Sequence, residues 1–186
     1  MKYFLPLICF LSFLCACQDK EQERGAALKE KKKQDEIFLK INQNWVFSTT
    51  PVNEVSNKVL SEWPSWQSFN NELANKPPLT IGAFRRKANT LSLRADALTD
   101  NVPEKFSTPE IYARIAVIKT KVNSLTLYMN LQTIPVQKVL STISDINREM
   151  ASVQRQMAEI VRKSQIPKEA GEEDMIRMLD TSRAIK

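Results

Sequence analysis

Between Val136 and Ile160, apolar residues recur at Val136, Val139, Ile143, Ile146, Met150, Val153, Met157 and Ile160 in steps of three and four that never slip. Wound into a helix, that spacing draws one narrow stripe, the seam of a coiled-coil-like packing. Two more runs carry the same spacing: Ile81, Phe84, Ala88, Leu91, Ala95, Leu98 and Ile111, Ile115, Ile118, Val122, Leu125, Met129. Each stripe has to be buried against another. Three of them in a short chain predict an all-α fold, an antiparallel bundle of three to four helices with coiled-coil-like seams.

The residues between the stripes predict where the helices start and stop. Thr80 stands before the first seam, and Thr108-Pro109 before the second, a hydroxyl to cap free N–H groups and then a ring already holding helical φ. Thr50-Pro51 repeats the device and predicts a helix start there, with Val52, Val55, Val59, Leu60 and Trp63 on one face. Pro64 interrupts that face with a kink or short break before Trp66, Phe69 and Leu73 resume it, and Lys76-Pro77-Pro78 stops it. Asp100-Asn101-Val102-Pro103 and Thr133-Ile134-Pro135 supply the remaining corners, so the bundle domain spans residues 37–166.

The first residues give an address. Lys2 precedes an apolar run from Tyr3 to Leu14, which as a helix would span about 18 Å, well short of a bilayer core of about 30 Å. It reads as a targeting segment, a signal peptide over residues 1–16. Leu14-Cys15-Ala16-Cys17 resembles the lipobox of bacterial lipoproteins, in which the last cysteine becomes the acylated first residue. That resemblance implies lipidation at Cys17, loss of Cys9 and Cys15, and attachment to a membrane through the lipid alone. With one cysteine left, no internal disulfide can form and the fold rests on its core. The following charged stretch, residues 17–36, reads as a tether or solvated helix in which Lys29, Lys31, Lys32 and Lys33 could meet acidic headgroups.

Composition narrows the chemistry. The chain has 186 residues, no histidine and only 3 glycines. The missing histidine removes histidine-ligated metals, histidine-dependent nucleophiles and histidine pH switches together. No glycine-rich phosphate loop and no paired carboxylates are recognisable, which points away from an enzyme and implies no cofactor and no metal. The formal charge of +6, reduced by one when Lys2 leaves with the signal peptide, is modest, and a lipid anchor argues against a nucleic-acid partner.

What remains is interaction. Trp63 and Trp66 flank Pro64 and would mark an interface if exposed, or plug the bundle if buried. Arg85 and Arg86, with Lys87 and Arg94, make a basic surface or simply a solvated face. In the tail, residues 167–186, acids precede Met175, Met178 and Leu179 and bases follow, a short amphipathic helix that either folds back or docks a partner. The general layout resembles small helical lipoproteins of Bacteroidota-type outer membranes, some of which serve machines that insert or secrete barrel proteins. The resemblance implies an outer-membrane adaptor bound to a membrane protein. The other reading is a binding module for a soluble ligand or envelope polymer. Self-association is left open by the sequence.

Overall fold

The computed structural model describes residues 4–166 together with Gly171 and Met178, with side chains from Glu21 onward. Among these residues the fold is all-helical: α1 (Phe4–Asn44), α2 (Glu54–Ser61), α3 (Pro64–Ala74), α4 (Ile81–Asp96), α5 (Pro109–Asn130) and α6 (Val136–Ser164). The three seams of the sequence lie on α4 with the 3₁₀ turn Ala97–Thr99 that follows it, on α5 and on α6. Their members from Phe84 to Leu98, from Ile111 to Met129 and from Val139 to Met157 are at most 3% exposed.

Helix α5 lies between α4 and α6, and cross-helix bonds fix both pairs as antiparallel. On the α4 side Ser92 Oγ meets Asn123 Oδ1 at 2.6 Å, Asn130 Nδ2 donates to Asn89 Oδ1 at 2.9 Å, and Lys119 pairs with Asp96 at 3.3 Å. On the α6 side Arg114 donates to Ser152 Oγ at 2.6 Å, Lys121 pairs with Asp145 at 2.9 Å, and the Lys138 ammonium sits 5.6 Å from the centre of the Tyr128 ring. Rising numbers on one helix meet falling numbers on the other.

The end of α1, with α2 and α3, closes the other side of a single apolar core. Ile41 and Trp45 anchor α1 there; the Trp45 ring stands edge-on to Phe84 at 4.9 Å and to Phe47 at 5.6 Å. Pro64 breaks the chain rather than kinking it. It occupies the first turn of α3, and Trp63 before it takes the extended backbone that a following proline imposes. Among the described residues through Ile166 there are six α-helices: Pro64 splits one of the bundle's predicted helices in two, and the residue 17–36 stretch, expected as a tether or a solvated helix, is helical throughout.

The start predicted at Thr50-Pro51 moves to Asn53. There the Asn53 side chain accepts from Ser56 N at 2.8 Å, while the Val52 N–H is drawn away to Gln154 Oε1 of α6 at 2.7 Å. The connector is held further by Asn147, which accepts from Ser48 N at 2.8 Å and donates to Val46 O at 3.1 Å. Long-range side-chain bonds thus override a local start signal. At the corner predicted from Asp100-Asn101-Val102-Pro103, Asn101 turns the chain with φ of 54°, a left-handed conformation that asparagine tolerates better than most residues.

Candidate interaction surfaces

Trp63 and Trp66 are fully buried, their rings 5.3 Å apart. Trp63 Nε1 donates to Asp100 O at 3.2 Å, tying the α2–α3 break to the turn after α4. Both tryptophans therefore plug the core, and neither presents a surface to a partner.

Arg85 and Arg86 part company. Arg85 leans across to the end of α5, donating from Nε to Met129 O at 2.9 Å and from Nη2 to Leu131 O at 3.3 Å. Those carbonyls sit where the last turn of a helix leaves acceptors without partners, and a cation is favoured there. Arg85 is thus a helix cap supplied by a neighbouring helix, whereas Arg86 is exposed. Lys87 is buried and pairs with Glu72 of α3 at 2.6 Å, which leaves Arg86 and Arg94 as the exposed part of the expected basic surface. In the tail, Met178 is 86% exposed, and Met175 and Leu179 lie outside the described residues.

Two concavities stand out. A groove of about 550 Å³ opens between α2, the turn at Pro103–Phe106 and the end of α6, floored by Val55, Val59, Phe106 and Val161. Its rim alternates charge, with Glu54, Glu62 and Glu104 against Lys58 and Lys105. A smaller hollow of about 280 Å³ lies where α1 passes the starts of α4 and α6, lined by Lys33, Phe38, Leu79, Arg85 and Ile134 among others. Among the described residues no His, Cys, Asp and Glu groups gather as a metal ion requires, and no helix is long and apolar enough to cross a membrane.

The outward face of α5 is not among the surfaces expected from the sequence. Ala113, Val117, Thr120, Ser124, Leu127 and Leu131 follow one another at steps of four, three, four, three and four on the side opposite the core stripe. Val117 is 41% exposed, Leu127 59% and Leu131 40%. No charge stands on this face, because Arg114, Lys119 and Lys121 all bend sideways to α4 or α6. The two hydroxyls are spent on their own helix, Thr120 Oγ1 on Ala116 O at 2.8 Å and Ser124 Oγ on Thr120 O at 2.9 Å. The signal that could have found it is a second charge-free stripe in the same helix. It was hidden because the stronger Ile and Val stripe accounts for the helix by itself.

Electrostatics concentrate at the α5–α6 seam. Asp145 is held below the usual carboxylate range, chiefly by the hydrogen bond from Lys121 and then by that from Arg148. Near the end of α6, Glu159 is held low by Arg162, which grips it through two bonds of 2.8 and 2.7 Å. These are structural pairs on the surface and they converge on no cleft. No family model matches this chain, and neither curated proteins nor solved structures yielded a match.

Proposed function

We propose that this chain is a lipid-anchored helical adaptor of the bacterial outer membrane, held by an acylated Cys17 and holding a protein partner, such as a barrel-type membrane protein, against its bundle. One observation carries the reading. The lipobox-like Leu14-Cys15-Ala16-Cys17 lies within a helix that continues without a break to Ile41, which is fully buried in the core. Between Cys17 and Ile41 that helix rises about 36 Å. A stalk of this kind would carry the bundle at a set distance from the lipid, which suits a protein whose role is to place a binding surface. Residues 1–16 are the removed signal peptide in this reading, and the groove beside α2 together with Met175, Met178 and Leu179 offers the partner-facing surface.

Metabolic labelling with a fatty-acid analogue tests the anchor: the native protein takes up label and Cys17→Ala does not. Equal labelling of both would end the proposal. Extraction in mild detergent then tests the adaptor role, with a stoichiometric membrane protein expected to co-purify. The groove floored by Val55, Val59, Phe106 and Val161 supports a second reading, a module that binds a soluble ligand or envelope polymer. A monomer that emerges from detergent with a small molecule in that groove, and no protein beside it, would favour the second reading.

A further inference from the structure

We infer that the outward face of α5 is a self-association surface, docking antiparallel against the same face of a second copy of this chain. A charge-free stripe along most of a 22-residue helix, in which four apolar residues flank two hydroxyls already bonded to their own helix, is unusual on a protein surface and marks an interface. The stripe is symmetric about the level of Val122, and what selects a second copy is that the same axis brings opposite charges together on the flanks. An antiparallel pairing centred there sets Ala113 against Leu131, Val117 against Leu127 and Thr120 against Ser124 of the other copy. Leu131 meets the smallest residue of the stripe, Ala113, and the short Thr120 and Ser124 fall at the centre, where two helices approach most closely. A twofold contact requires this kind of match, in which one patch complements itself.

The flanks agree with the same axis. The Ser92–Asn123 bond places Leu93, 71% exposed, level with Val122, so Leu93 comes up beside Leu93 of the second copy. Following the α4–α5 ladder outward, the level of Arg86 in one copy coincides with that of Asp100 in the other, an exposed cation opposite an exposed carboxylate. The contact is about 27 Å long and roughly 10 Å wide. Two faces of that size, with Leu93 of each copy beside them, bury roughly 600 to 1,000 Å² in total, at or below the lower limit for specific association. Dimerisation in dilute solution is accordingly weak, in the micromolar range or above, and confinement of the chain to a surface would strengthen it. The inference does not depend on the lipid anchor.

Cross-linking in register tests it, using the full chain in mild detergent with its three cysteines replaced by serine. An equimolar mixture of Ala113→Cys and Leu131→Cys chains should form disulfide-linked dimers on oxidation, while Ala113→Cys alone should not. Dimers from Ala113→Cys alone, or none from the mixture, would overturn the proposal. Sedimentation velocity supplies a second measurement. Thr120→Arg, a change at an exposed site, should keep the helical circular dichroism and weaken association tenfold or more, because two like charges then meet at the axis. Unchanged association overturns the proposal. Arg86→Asp and Asp100→Arg should each weaken the dimer, and the double exchange should restore it.

Discussion

Arg85 belongs to α4 but its guanidinium serves α5, where it occupies two carbonyls that the helix leaves free at its end. Arg85→Ala removes both bonds and the favourable charge at that terminus. At a half-buried site this should lower the unfolding free energy by about 1 to 2 kcal/mol in urea titrations. Arg85→Lys should recover less than half, since an ammonium carries charge but cannot present the planar fork that reaches both oxygens. Gln154 makes a comparable case from the opposite direction. It is a polar residue 2% exposed whose carbonyl oxygen accepts the Val52 N–H. Gln154→Leu fits the space and strips a backbone donor of its partner, so a loss of about 1 to 3 kcal/mol is expected. Full stability in this variant would show that the connector is not held by that bond.

At the scale of helices, the α5–α6 seam joins an apolar interior to a charged rim. The carboxyl of Asp145 is held low by Lys121 and Arg148, so the folded state binds a proton there less readily than the unfolded chain. Its contribution is therefore whole above the ordinary aspartate value of about 3.9 and disappears as pH falls through the lowered folded value. Asp145→Asn should reduce stability at pH 7 by roughly 0.5 to 1 kcal/mol, as for a small surface network. Near pH 2 the two proteins should unfold at the same denaturant concentration. A gap that persists in acid would assign the loss to packing instead. The three seams were readable in the sequence because burial on one helix face imposes a period that few other constraints imitate; Thr80 caps its helix through its side chain, and Thr108-Pro109 marks a start that the structure keeps although the Thr108 side chain makes no cap bond. Thr50-Pro51 misled, because the bonds from Asn147 and Gln154 come from about a hundred positions along the chain and leave no local trace. Arg85 is legible in the sequence as a charge but not as a cap, since the carbonyls it binds are more than forty residues away. The two tryptophans could be read either way until packing placed both inside.

Across the whole molecule, α1 decides how the bundle relates to whatever lies at its N-terminal end. Residues 17–36 were expected as a tether or a solvated helix, and the described backbone is one helix through Asn44. The two alternatives act differently. A flexible segment lets the bundle wander over a broad range of distances, whereas a helix fixes one distance and one direction. Only the last turns are seated, through Ile37, Phe38, Ile41 and the following Trp45, so residues 21–36 must hold helical form largely by their own propensity. That stretch is rich in Lys, Glu, Gln and Ala, with Gly25 as its weak point at about 1 kcal/mol relative to alanine. Spin labels at Gln22→Cys and Lys40→Cys, with the native cysteines replaced, should give a narrow distance distribution centred near 27 Å between backbones. Gly25→Ala should narrow it further, and Gly25→Pro should broaden it while leaving the unfolding midpoint of the bundle in place. A broad distribution in the parent chain would return this segment to a flexible tether and remove the set spacing on which the adaptor reading draws.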